Sequence, residues 1–383
     1  MLMKKLHVYF LIFLLVLLLI GVLAGIHIAS QPTKYTPDVY FGLDIAFSDV
    51  GSFKELVNQV SSYTNFIVVG STIITYNISE LNGVCQYIND HGLTFAPFWH
   101  INSEAFNQTQ WVIQAKQTWG NRFWGLFPYD EAGGAQIDRA RSSVENGNIS
   151  LMLVQQADNY TDAANKFVTA LNQDLAVFKF DAIPLMTSDY ALYEFDFKAG
   201  YNVVLAEFAY NLSKPLQLAL CRGAATISNK DWGVIITDTY TQAPYLENAT
   251  QLYADMVYAY QNGAKFILVF DSNLNFTENI LQPDQLNAMK QFWNYLHTNP
   301  QQQNPLQNRV AYVIPTGYGF GFRGPNDTIW GLWPADSLSA IVWRNVTSLL
   351  EQYGPNLDVV YEDSLQISTV HYNKVIFWNG TEL

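Results

Sequence analysis

The chain reads as an α/β protein built on a (β/α)8, or TIM, barrel. Two observations predict that class: eight short, nearly continuous apolar runs recur between Val39 and Phe270, and they alternate with segments of helical length and patterning. A third feature fits it, a set of acidic residues standing just after the runs.

In chain order the strand candidates are Val39–Ile45, Phe66–Val69, Leu93–Phe98, Phe123–Phe127, Ala182–Met186, Val203–Ala206, Gly233–Thr237 and Phe266–Phe270. Runs apolar on both faces suit parallel strands buried on both sides. Between them, Phe53–Tyr63, Ser79–His91, Thr109–Trp119, Leu151–Leu171, Leu216–Thr226, Thr250–Asn262 and Pro283–Leu296 are helix-like. Gly92 and Gly263 sit just past two of these, where a left-handed C-terminal cap favours glycine. An open doubly wound sheet is the alternative arrangement; eight strands in succession favour closure.

Residues 1–37 read as a membrane anchor and tether ahead of the barrel at 38–298. Lys4 and Lys5 precede Val8–Ile26, an uncharged apolar segment that as a helix spans about 28 Å, near the thickness of a bilayer's hydrocarbon core. Lysines before it and no basic cluster after it put the N-terminus inside and the bulk outside, a single-pass protein of the cell membrane. A cleaved signal peptide is the competing reading, although its apolar core usually runs about 7–15 residues. Gln31 to Pro37, with two prolines, reads as the tether.

Beyond the barrel, the Gln/Asn/Pro-rich stretch 299–308 reads as a linker to a small α/β unit at 309–383. Arg309–Ile314, Leu357–Tyr361 and Lys374–Trp378 are its strands and Ser337–Tyr353 its helix, about half of a flavodoxin-like unit. Its Gly317-Tyr-Gly-Phe-Gly321 run lacks the spacing and the immediate helix of a dinucleotide fingerprint. The reading calls for no cofactor.

Composition narrows the partners. A net charge of −13 argues against nucleic acid and against docking on anionic lipid, both of which need a basic surface. Charged residues are only 14% of the chain and aromatics 15%, so solubility rests on amides, hydroxyls and glycans. Ten Asn-X-Ser/Thr sequons, at Asn77, Asn107, Asn148, Asn159, Asn211, Asn248, Asn275, Asn326, Asn345 and Asn379, suggest an exposed, glycosylated surface. Cys85 and Cys221 fall on the second and sixth crossover helices, too far apart to be bridged, and are expected as buried thiols. The six histidines are scattered, so no histidine metal site is expected.

In barrels, chemistry collects at the C-terminal ends of the strands. There this chain places Asp44, Asp130, Glu131, Asp189, Glu207, Asp238 and Asp271. Trp99, His100, Tyr129, Tyr210, Asn211 and Tyr240 accompany them, offering flat apolar faces and hydrogen-bonding groups of the kind sugars need. With Tyr129-Asp-Glu-Ala-Gly-Gly134, Ala206-Glu-Phe-Ala-Tyr-Asn211 and Trp232-Gly-Val-Ile-Ile-Thr-Asp-Thr-Tyr240 at strand ends, the chain resembles the TIM-barrel glycoside hydrolases. The barrel followed by a flavodoxin-like unit is similar to the layout of some β-galactosidase-type enzymes. Two departures stand out: Asp130 precedes Glu131 where the large clans carry Asn-Glu, and strand seven ends in Asp238 where they carry glutamate.

Glycoside hydrolysis needs one protonated and one ionised carboxyl across the scissile bond. Glu131 and Glu207 are the expected catalytic pair. Asp44, Trp99, His100, Tyr129, Asp130, Tyr210, Asn211, Asp238, Tyr240 and Asp271 are the expected carbohydrate contacts. Structural roles compete with these: Glu131 as the cap of the next segment, Glu207 as a buried partner of Arg222. The functional readings are correspondingly two, a membrane-anchored extracellular glycosidase, and a non-catalytic surface glycoprotein that uses a glycosidase-like barrel to bind glycan or pack in an envelope.

Overall fold

A computed structural model describes residues 38–99, 106–139, 152–178, 183–301, 305–367 and 370–383, together with the backbone of a hairpin at 141–144 and 147–150. The predicted anchor, Val8–Ile26, lies outside the described residues. Among the described residues no helix is long and apolar enough to cross a membrane.

Eight parallel strands form the barrel: β1 (Tyr40–Ile45), β2 (Phe66–Val69), β3 (Thr94–Trp99), β4 (Phe127–Pro128), β5 (Met186–Asp189), β6 (Val203–Phe208), β7 (Asp231–Ile236) and β8 (Phe266–Asp271). Neighbours follow chain order from β1 to β4 and from β5 to β8, and β8 pairs with β1. The remaining seam closes through Leu126, whose N–H donates to Pro184 O at 3.0 Å and whose carbonyl accepts from Met186 N at 2.9 Å. A closed ring, not an open sheet, is the result.

Alternation along the strands sorts the core into two layers. Phe66, Val68, Phe127, Met186, Val203, Leu205, Ile235, Phe266 and Leu268 pack together inside the barrel. Phe41, Leu43, Ile45, Ile67, Val69, Val204, Ala206, Val234, Ile267 and Val269 point outward to the helices. Helices at Val50–Val60, Ile78–Asp90, Gln108–Trp119, Tyr160–Leu175, Lys214–Ser228, Ala249–Gln261 and Pro283–Thr298 supply the outer ring.

Most boundaries agree with the sequence reading to within a few residues. The fourth helix is an exception, starting at Tyr160 instead of Leu151. Gln136 explains it: its amide donates to Val154 O and accepts from Val154 N, each at 2.9 Å, pinning that stretch as extended chain. Asn159 then starts the helix by accepting from Asp162 N. Two seven-residue helices, Ala132–Asp138 and Tyr193–Ala199, are too short to show a period and were not expected.

Four sequon asparagines prove to be helix N-caps. The Oδ1 atoms of Asn77, Asn107, Asn159 and Asn248 accept first-turn N–H groups. Asn77, Asn107, Asn159, Asn211, Asn248, Asn275, Asn326 and Asn379 are exposed and Asn345 is half-buried; the side chain of Asn148 lies outside the described residues. Cys85 and Cys221 are buried free thiols.

The C-terminal unit is a parallel sheet of β9 (Val310–Ile314), β10 (Leu357–Tyr361) and β11 (Lys374–Phe377) with β9 central, plus a helix at Ser337–Tyr353. It is bound tightly to the barrel. Arg222 on the helix Lys214–Ser228 donates to Asp358 Oδ1 at 2.7 Å and to the carbonyls of Pro355 and Leu357. Arg309 takes the other oxygen of Asp358, at 3.0 Å. Next to Arg222, a Cβ on Gly223 would stand 2.4 Å from Val359 O, so only glycine lets helix and strand come this close. Trp330, fully buried, packs on Phe167 and Phe195 of two barrel-side helices.

Candidate active site

A cleft of about 520 Å³ opens at the C-terminal end of the strands. Its floor is the inward register continued to the strand ends: Asp44 of β1, Phe127 of β4, Ser188 of β5, Glu207 of β6, Ile235 of β7 and Phe270 of β8. Of the twelve residues singled out from the sequence, Asp44, Asp130, Glu131, Glu207, Tyr210 and Asp238 line it.

Glu131 and Glu207 come together. Both line the cleft, and the negative charge of Glu131 helps drive the Glu207 carboxyl upward. The competing roles fail on the geometry. Arg222 is engaged with Asp358 and not with Glu207. Glu131 occupies the N-cap position of the helix Ala132–Asp138 but makes no capping bond through its side chain.

The cap is supplied from β5 instead. Asp189 accepts from Gly133 N at 2.6 Å and Gly134 N at 2.8 Å, as well as from the N–H groups of Tyr190 and Ala191. Ser188 completes the clamp: its carbonyl accepts from Glu131 N at 2.9 Å, and its hydroxyl donates to Glu207 Oε1 at 2.9 Å. Tyr129 and Glu131 flank Asp130 with φ of 61° and 52°, left-handed conformations disfavoured for side chains of this size. One strand therefore holds the strained loop that presents Glu131 and also positions Glu207.

The site resists ionisation. Burial, then the Glu131 carboxylate, drive the Glu207 carboxyl well above its ordinary range, opposed by the Ser188 hydroxyl. Glu131 is raised by burial and by Asp130. Glu131 is exposed along the cleft while Glu207 is only 4% exposed, so water screens the former and its shift is the softer of the two. Burial pushes Asp238 up to about 6. Behind the clamp, burial and the charge of Asp189 raise buried Asp196 well above the usual range, while Asp189, raised to about 7 by burial, is opposed by its four N–H donors.

Strand alternation accounts for several predicted residues that stay out of the cleft. Trp99 ends β3 on the outward parity, stacks edge-on against Trp111 at 5.2 Å and is fully buried. Asp271 ends β8 on the same outward parity and accepts from Ile280 N at 2.8 Å, fastening the following loop; burial raises it to about 7. Tyr129 is buried beneath its own loop, its carbonyl accepting from Thr187 Oγ1. Asn211 and Tyr240 are exposed but stand outside the cleft lining. His100 lies outside the described residues.

The cleft also holds residues the sequence reading missed. Ser188, Tyr190, Thr237 and Asn273 come from strand ends and loops, and Arg323 from the C-terminal unit. Arg323 grips Asp327 through two nitrogens at 2.9 Å and contacts Asp138, which also accepts from the Tyr190 hydroxyl at 2.7 Å. Inward parity on β5 would have revealed Ser188; nothing local in the sequence reveals Arg323.

No family model and no curated protein matches the chain. Among solved structures, the barrel is similar to a β-mannanase from the blue mussel Mytilus edulis, at 10% identity and a TM-score of 0.42 over 69% of this chain and 94% of that one. An endo-1,4-β-mannanase from Eisenia fetida matches at 8% identity and 0.41, over 70% and 92%. A D-psicose 3-epimerase from Clostridium cellulolyticum H10 matches at 8% and 0.37, over 69% and 100%. Glycoside hydrolases thus stand among the neighbours of this barrel beside enzymes of other chemistry, and the reading of function rests on the residues of the cleft.

Proposed function

We propose that the chain is a glycoside hydrolase-like protein, held in the cell membrane by residues 8–26 with the barrel outside, that acts on a polysaccharide or glycan through Glu131 and Glu207. The observation that carries this is a pair of glutamates, one buried and one open to solvent, lining a single cleft at the C-terminal end of the barrel strands. Glu207, buried and driven upward, is the member that favours its proton, and Glu131, open to solvent, is the one that ionises more readily. One carboxyl of the pair then protonates the glycosidic oxygen while the other, ionised, faces the anomeric carbon or its attacking water.

A retaining enzyme holds its two carboxyls roughly 5–5.5 Å apart and an inverting one roughly 6.5–9.5 Å, so the separation adopted with substrate bound decides the stereochemical course. Glu131, exposed at the head of a short helix, is the member able to yield; Glu207 is held on its strand by Ser188. Burial that keeps both carboxyls from ionising favours a second reading, a barrel that binds glycan without cleaving it. Turnover of a panel of polysaccharides and N-glycans by wild type, Glu131→Gln and Glu207→Gln separates the two. The hydrolase reading expects at least about a hundredfold loss in each variant with binding retained; glycan binding without wild-type turnover would establish the second. For the anchor, N-terminal sequencing of protein from its host that begins near Ser30 would show the segment is removed instead.

A further inference from the structure

The cleft does not end at the carboxyl pair. A second cavity of about 400 Å³ adjoins it over β1, β2 and the loop after β8, and the two share Asp44, Asp130, Phe270 and Phe276. Each volume falls within the range of small-molecule sites.

Two features mark this second lobe as built for a ligand. Asp44 is 6% exposed, lines both cavities, and has one carboxylate oxygen, Oδ1, buried without a hydrogen-bond partner. The unpartnered oxygen carries a desolvation penalty, and the carboxyl it belongs to stands where the two cavities meet. Its position is prepared by Gly70, where a Cβ would stand 2.1 Å from Oδ1. Phe276 is 52% exposed although large and apolar, and it sits at φ 57° in a turn whose N–H and carbonyl bond Asn273 and Ser48. A ring held out of the core in a disfavoured backbone conformation, at the seam of two cavities, offers a flat face to the C–H side of a sugar. Ser71, Thr72 and Asn275 add hydroxyls and an amide around it.

We infer that the cleft continues into a second lobe that binds the neighbouring units of an oligosaccharide, with Asp44 and Phe276 as contacts shared between the lobes. The inference rests on the glycan-acting reading of the first lobe and narrows it: the substrate is an oligomer lying across the barrel mouth, from β6 and β7 toward β1 and β2, and not a single terminal sugar.

The test is a glycan array carrying monosaccharides and matched oligosaccharides of increasing length. It is probed with the full chain as Glu131→Gln, so that nothing is cleaved, and made in a host that adds no N-glycans, because Asn275 is itself a sequon asparagine. The expected result is retention only of oligomers of at least about three units, weakened about tenfold or more by adding Phe276→Ala. An unchanged melting temperature in that variant, whose lost ring is surface-exposed, excludes misfolding. Monosaccharides held as well as their own oligomers would overturn the second lobe and leave the glycan-acting reading standing. Retention of no glycan would overturn both.

Discussion

At the N-terminal end of the barrel strands the interior is closed by Tyr40, Phe66, Trp124 and Phe266, whose rings meet at 4.7 to 6.2 Å. At the C-terminal end the same inward register carries Asp44, Ser188 and Glu207. Nothing in the backbone pattern distinguishes the ends; side-chain chemistry does. The lower end gains free energy by removing apolar surface from water, while the upper end gives some back by burying carboxyls near one another. Apolar packing is concentrated below and buried carboxyls above.

The largest expected effect lies at the bottom. Phe266→Ala, at a residue 1% exposed and packed against three other aromatic rings, should cost about 3–5 kcal/mol in urea unfolding while leaving glycan binding per folded molecule unchanged. A loss of binding that outruns the loss of folded protein would show that the two ends are coupled, and would break the comparison.

A smaller effect, of opposite sign, is expected at the top. Glu207, Glu131, Asp238 and Asp271 all have folded-state pKa values raised by burial. The folded chain therefore holds protons that the unfolded chain releases. Stability should fall as pH rises from about 4, where an unfolded carboxyl titrates, toward about 7, the value to which Asp271 is raised. Asp327 and Asp336, lowered by their Arg323 and tyrosine partners, act the other way and limit the gain in stronger acid. Melting temperatures should be higher at pH 5 than at pH 7.5, and Glu207→Gln should flatten the difference while stabilising the fold at the higher pH. A wild-type profile that rises over that interval would contradict the acidic-cleft account.

The smallest effect separates two roles of one residue type. Asn107 caps the helix Gln108–Trp119 by accepting from Gln110 N at 2.9 Å. Asn107→Asp keeps that bond and should leave the melting temperature near wild type; Asn107→Ala should cost about 1 kcal/mol. In a glycosylating host both variants should lose the mass of one N-glycan. Retained mass in both would show that Asn107 carries none.

These contrasts also show what was legible in the sequence. Eight apolar runs sufficed for the barrel because parallel strands are buried on both faces, so Phe66–Val69 and Leu357–Tyr361 have the same bounds in the sequence reading and in the structure. Strand-end acids brought Glu131, Glu207, Asp44 and Asp238 to notice, but position at a strand end does not say which way a side chain faces. Trp99 and Asp271 sit one residue beyond inward-facing Phe98 and Phe270, and that single step turns them toward the helices. Sequons were a weaker signal than they looked, since Asn followed two residues later by Ser or Thr also describes a capped helix start. Arg323 was beyond reach: it arrives at the rim from a loop some 190 residues after Glu131, by tertiary packing alone.

That arrival gives the site two owners. The acids belong to the barrel, whereas the guanidinium at their rim belongs to the C-terminal unit and is tied to its own Asp327. The electrical potential inside the cleft is therefore set partly by a seam between two bodies. Because Arg222, Gly223 and Trp330 lock that seam, the positive charge is held in place beside Asp138, and docking of the small unit is part of what fixes the potential in the cleft.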